Sequence, residues 1–487
     1  MSGRTSEQVR AGLNHPVIDS DGHTIEFMPL LHDFLKDVGG SAIYERYVQS
    51  RPQPMLGRGT RDRWYQMTPQ ERQHQRVTRP SFWVGTGNTY DRATAMLPEL
   101  RRARMDELGF DFSILYPTGG LEFPGEKDEE IRRAFCRAIN IMNTELYGPH
   151  GDRMTHAAVI PMQTPEEAIA ELDHAVGTLG MKAIYIPAQV HRPVPLIEEA
   201  VPELAARTTY LDLLALDSPH DYDPFWARCV ELGVAPTCHS GGQGWGSRTS
   251  ISNYMYNHIG HFAAAGEGLC KALFFAGVTR RFPTLKFGFL EGGTAWARTL
   301  YDDICGHWEK RNVKTLKNTL NPANMDMPRM LELFESYGGR VAKGRENDLG
   351  ELLGKMTHHL EDLDNVDDFH ACAIEAQSDI HDLFVPRFYF GCEADDPSNV
   401  WAFRGKTKLN AIFSSDIGHW DVPDIRECLE EAYELVEDGE LTEQDFEAFV
   451  CTNPISLHGG MNSSFFEGTA VEADAARILK ENGGNSL

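Results

Sequence analysis

Asp19, Asp21 and His23 stand at every second position of VIDSDGH (17–23). In an extended strand that spacing sends the three side chains to one side, presenting two carboxylates and an imidazole together. Residues of the same kind close three other short apolar runs: His239 after GVAPTC, Glu291 after LKFGFL and Asp416 after NAIFSS. Carboxylate oxygen and imidazole nitrogen are donors to Zn, Fe and Mn. Three or more carboxylates in one cavity would repel each other unless a cation neutralised them, so the set predicts a metal site. Asp21, His23, His239, Glu291 and Asp416 are the expected ligands. His261, three residues after His258 and facing the same way on a helix, is a further candidate ligand. His419, three residues past Asp416, is a candidate ligand or proton carrier. Asp416 as general base, His419 and Glu291 are the expected catalytic residues.

Taken singly, each of these has a plainer reading: an Asp at a strand end is usually a cap or turn residue, and an isolated His is usually hydrogen-bonded in the core. It is the joint pattern that carries the expectation. Competing motifs fail. GKT at 405–407 would end a phosphate-binding loop only with glycine at 400, where Val400 stands. There is no HExxH, no GxSxG and no dinucleotide-binding glycine fingerprint. The nine cysteines are odd in number and contain no CxxC pair, which predicts buried thiols rather than disulfides or a zinc knuckle.

Residues so far apart need a scaffold that gathers them. Eight β-branched or aromatic runs recur: 15–21, 110–117, 155–162, 181–188, 233–240, 285–292, 387–394 and 410–416. They are nearly continuous in apolar residues, as parallel strands covered on both faces are. Helical patterns lie between them, including 165–180 with Thr164 as N-cap and 222–233 closing on Gly233. Eight strands with helical connections predict a (β/α)8 TIM barrel, whose C-terminal strand ends meet at one mouth. The expected organisation is one domain over 1–487. It carries helical insertions at 22–109 and 293–386, after the first and sixth strands, and a C-terminal helical extension at 422–487. The aromatic segment 245–261, beginning at Trp245, would suit a hydrophobic substrate, with Arg248 or Arg104 holding a carboxylate or phosphate on it.

Lys and Arg number 46 and Asp and Glu 72, a net charge of −26, which argues against nucleic acid or an anionic membrane surface as partner. A 41% hydrophobic share, with 10% aromatics, is ample for a packed core. No apolar run approaches the roughly 18 residues of a membrane helix. The opening MSGRTSEQVRAGLNHP lacks the apolar stretch of a secretory signal, so a cytoplasmic location is expected. The expected partner is a small-molecule substrate, and the 293–386 segment could serve as a homodimer element.

These residues resemble the amidohydrolase-2 family of amidohydrolase-related, aminocarboxymuconate-semialdehyde decarboxylase-like TIM barrels. The resemblance is carried by VIDSDGH, LGFDFSILYPT, TCHSGG, PTLKFGFLEGG, SSDIGHWD and NPISLHGGMN, and covers most of the chain. By position, the family's first-strand HxH falls on Asp21 and His23, its strand-five ligand on His239 and its strand-eight aspartate on Asp416. Two nitrogen donors of the family are oxygen donors in this chain: Asp21 in HxH, and Glu291 where the decarboxylases carry a histidine. Lys182, at the start of its strand, lies too far from the mouth to bridge two metals. An oxygen-rich donor set is similar to that of the branch of amidohydrolase-fold non-heme di-iron monooxygenases of bacterial diterpenoid biosynthesis. That likeness implies two Fe, with Zn or Mn as alternatives, and hydroxylation of a hydrophobic substrate with O2. Membership of the broader family implies instead a hydrolase or non-oxidative decarboxylase working through a metal-bound water or a metal-held carboxylate.

Overall fold

The computed structural model describes residues 4–50, 64–81, 85–205, 207–240, 246–345, 347–348, 350–352 and 366–484. Ten strands occur among them. They are β1 (Ile18–Thr24), β2 (Phe112–Pro117), β3 (Met154–Val159), β4 (Ala183–Pro187) and β5 (Val190–Pro193). The rest are β6 (Thr209–Asp212), β7 (Pro236–His239), β8 (Phe287–Phe289), β9 (Phe388–Glu393) and β10 (Asn410–Ser414). One sheet runs β1-β2-β3-β4-β7-β8-β9-β10, and every neighbouring pair is parallel. Its two edges meet just past β10, where the Asp416 N–H donates to Asp21 O at 3.0 Å and the His23 N–H to Ile417 O at 2.8 Å. With helices around it this is a (β/α)8 TIM barrel, and each of its strands falls on one of the eight runs expected from the sequence. The antiparallel hairpin β5–β6 between β4 and β7 was not expected.

The strands form because both their faces are covered. All seven residues of β1 and all six of β2 are buried. Phe287, Phe289, Phe388 and Phe390 pack ring to ring across β8 and β9, each contributing roughly 1.5–3 kcal/mol of burial. The helices have clear ends. Asp128 caps helix Glu129–Tyr147 by accepting from the Glu130 and Ile131 N–H groups. Thr164 caps helix Pro165–Leu172 through the Glu167 N–H at 3.2 Å, which matches the expected start. Helix Asp223–Leu232 stops at Gly233, whose φ of +66° and closeness to Met461 O would strain any larger residue.

Between β1 and β2 lie helices Met28–Ser50, Pro69–Gln75, Thr89–Met96 and Pro98–Leu108. Between β8 and β9 lie Ala295–Arg311, Val313–Asn318, Met327–Tyr337 and Gln377–Phe384. The chain after β10 folds back on the barrel: Phe449 packs on Phe413 and Phe466 on Phe112. Lys182 Nζ donates to Phe465 O at 3.0 Å, within this packing. All nine cysteines are buried and unpaired with one another, as expected of core thiols. Among the described residues no helix is long and apolar enough to cross a membrane.

Candidate metal centre

Asp21 and His23 lie on β1 and are fully buried, and His239 is the last residue of β7. Glu291 follows β8 and Asp416 follows β10, each with backbone in the left-handed region, at φ +55° and +49°. For a residue other than glycine this costs on the order of 1–3 kcal/mol, and such strain collects at functional sites. His23 Nε2 is the hub. It stands 3.2 Å from His239 Nε2, 3.4 Å from Asp21 Oδ1, 3.5 Å from Asp416 Oδ1 and 3.8 Å from Glu291 Oε1. His239 Nε2 lies 3.2 Å from Glu291 Oε2. His419 Nδ1 lies 2.6 Å from Asp416 Oδ1 and 3.0 Å from Glu291 Oε1, with its ring stacked 3.9 Å from that of His23. Two overlapping sets result, His23–Glu291–Asp416–His419 and Asp21–His23–His239, each with its donor atoms within 4.8 Å of one another.

The charges explain what such a cluster needs. Burial, reinforced by Glu291, lifts the Asp21 and Asp416 carboxyls well above the usual carboxylate range. Burial pushes the His23 and His239 imidazoles down, so they stay neutral. Burial by itself would lower His419, but the hydrogen bond to Glu291 and the nearby charges of Glu291, Asp421 and Asp21 together raise it. Both Asp21 oxygens and Glu291 Oε2 are buried without a hydrogen-bond donor, and Asp416 Oδ1 meets only His419 Nδ1. Orphaned carboxylate oxygens beside neutral imidazoles form a donor set that a divalent cation fits. His239 is oriented for the same role: its Nδ1 lies 3.0 Å from Ser240 O, which places the N–H there and leaves the Nε2 lone pair facing the cluster.

Other expected residues lie elsewhere. The strict alternation of β1 breaks between Asp19 and Gly22, where the register against β2 shifts. Asp19 therefore turns away from Asp21 and His23 and bonds Ser415 instead. His261 is buried but belongs to neither donor set. His258, expected on the same helix face, instead ends the separate helix Tyr254–His258 while His261 opens helix His261–Phe275, and its Nε2 stands 3.5 Å from Asp421 Oδ2. Arg104, expected to hold a substrate carboxylate, is a structural tie. Its Nη1 donates to Asp91 Oδ1 at 2.8 Å and Thr94 Oγ1 at 2.7 Å, and its Nε to Glu107 Oε2 at 2.9 Å. A fork so occupied does not reach a substrate. Arg248 is exposed, with its guanidinium beside Gly260. Trp245 lies outside the described residues.

A cavity of about 340 Å³ opens onto Glu291, and Glu393, Asp395, Asp396, Asp421 and His258 help to line it; no Lys or Arg is among its described lining residues. Burial and the neighbouring Glu291 push the Glu393 carboxyl up to about 8. Sequence reasoning missed this acidic wall, although Glu393 ends a recognised strand run by the same logic that singled out Glu291.

A model of the amidohydrolase family matches residues 50–339, more than half of the chain. Among solved structures, the apo form of IDCase from Metarhizium anisopliae is similar, with 12% identity over 92% of this chain and 98% of that one, at a TM-score of 0.52. Amidohydrolase map2389c from Mycobacterium avium subsp. paratuberculosis K-10 has 17% identity over 92% and 100% of the two chains, at a TM-score of 0.48. A dihydroxybenzoic acid decarboxylase from Polaromonas sp. JS666, solved with manganese and 2-nitroresorcinol, has 15% identity over 93% and 99%, at a TM-score of 0.47. The first of these shows the shared fold. No curated protein matches the chain.

Proposed function

Because the chain belongs to the amidohydrolase family, we propose that it is a metal-dependent hydrolase that cleaves a neutral amide or ester of a small molecule without redox chemistry. The observation that carries the reading is the buried cluster at the barrel mouth, with three carboxylates and the neutral His239 imidazole around the neutral His23. Asp21, His23, His239, Glu291 and Asp416 would hold a divalent cation, with His419 beside them. Bound there, the cation would supply Lewis acidity and water whose pKa is lowered to about 7.

The chain's own groups handle the proton. Asp416 Oδ1 and His419 Nδ1, 2.6 Å apart, form a pair that accepts a proton and returns it to a leaving group. Glu291 Oε1, at 3.0 Å, fixes the tilt of the His419 ring. Asp395, Asp396 and Asp421 on the cavity wall, with no Lys or Arg among its described lining residues, disfavour a substrate carboxylate there, which supports hydrolysis over decarboxylation.

The two-iron, O2-consuming hydroxylation implied by Asp21 and Glu291 has no support in the family match. Oxygen donors serve Mn and Zn as well as Fe. The test is to purify the chain anaerobically, load it with Zn2+ or Mn2+ and assay amide and ester panels without oxygen. Turnover under those conditions supports the reading; activity that appears only with Fe and O2 contradicts it.

A further inference from the structure

Asp19 is fully buried, yet it contributes to neither donor set. Its Oδ1 accepts the Ser415 N–H at 3.0 Å and the Asp21 N–H at 3.3 Å, and its Oδ2 accepts the Ser415 hydroxyl at 2.9 Å. Arg101, also buried, stands 3.6 Å from Oδ2, and its Nη1 donates to the His23 carbonyl at 2.7 Å. One ion pair therefore touches the backbone of both β1 candidate ligands and of the residue preceding Asp416.

The placement matters because Asp416 carries strained backbone directly after Ser415. Such a conformation persists only where its surroundings over-determine it. The brace needs room on β1, and Gly22 provides it: a Cβ there would lie 2.3 Å from Arg101 Nη2 and 2.5 Å from Asp19 Oδ2. The DSDGH spacing thus serves two functions, with Asp21 and His23 facing the cluster while Asp19 and Gly22 form the tie behind it.

We infer that Asp19 is a positioning residue: with Arg101 and Ser415 it locks β1 to the segment after β10, so that Asp21 and Asp416 face one ion. This rests on the metal reading above. Partners that orient ligands in this way typically change metal affinity about 10- to 100-fold when removed.

The test compares wild type with Asp19→Asn, Ser415→Ala and Ser415→Thr. For each, Zn2+ and Mn2+ affinities are measured by competition with a chromophoric chelator, and the melting temperature of the metal-free chain is recorded. Asp19→Asn is expected to weaken metal binding by about 10- to 100-fold. Ser415→Ala should weaken it in the same direction, and Ser415→Thr, which keeps the hydroxyl, should restore it. Should Asp19→Asn fail to fold, the Ser415 pair decides. Variants that bind metal as wild type does, with only a lowered melting temperature, would make Asp19 a stability residue and overturn the inference alone. A wild-type chain that takes up neither ion overturns the metal reading and this inference with it.

Discussion

His419 is the residue whose surroundings most clearly separate ligation from catalysis. Its Nδ1 is shared between Asp416 and Glu291, and its ring stacks on His23. As a proton carrier it predicts that His419→Gln keeps bound metal but lowers kcat by about 10²- to 10⁴-fold with KM little changed. Steady-state kinetics and metal analysis on one preparation check this, and loss of the metal would make it a ligand instead. The same groups set a pH dependence. Without metal, Asp21, Asp416 and His419 are all shifted toward holding a proton at neutral pH. Cation binding must release those protons, so affinity should rise with pH, and calorimetry in buffers of different ionisation enthalpy should register the release. Asp21, His23, His239, Glu291 and Asp416 were legible as candidates because charged residues at the ends of apolar runs are unusual. Asp19 was misread because a register shift in β1 breaks the alternation. Arg104 was misread because its partners, Asp91, Thr94 and Glu107, are fixed only by helix packing.

The strands were legible because parallel strands buried on both faces leave near-continuous apolar runs. The hairpin β5–β6 was not, since Arg192 and Thr209 interrupt its apolar character and its burial is partial. Loops tie the strands through groups that titrate. Glu26, after β1, accepts the Gly119 and Gly120 N–H groups past β2, yet burial pushes its carboxyl from 4.5 to about 7. The folded chain therefore holds a proton that the unfolded chain has shed. Stability should fall by roughly 3 kcal/mol as pH rises through that window and level off above it. Glu26→Gln should flatten this slope in denaturant melts between pH 5 and 8; parallel slopes would remove Glu26 as the cause. Gly277 caps a helix at φ +70°, where a Cβ would meet Ala371 O at 2.2 Å. Gly277→Ala should cost about 1–3 kcal/mol, read as a lowered melting temperature.

At the scale of the molecule, a chain of net charge −26 concentrates acidic groups at one end of a barrel and buries three of them together. Self-repulsion of that kind is tolerated where a cation offsets it, so the metal should be part of the folded state. We propose that residues 1–487 form one domain; among the described residues the C-terminal segment packs on the barrel through Phe449 and Phe466. One cooperative melting transition is then expected, shifted upward by metal through linkage. The most direct measurement is elemental analysis of the chain purified without chelator, beside an Asp21→Ala/His239→Ala variant, with melting curves before and after chelation. Stoichiometric divalent metal in wild type, its loss from the variant, and a melting temperature that falls on chelation and recovers on re-addition are predicted. A metal-free wild type whose melting temperature ignores both chelator and added Zn2+ or Mn2+ would contradict the account.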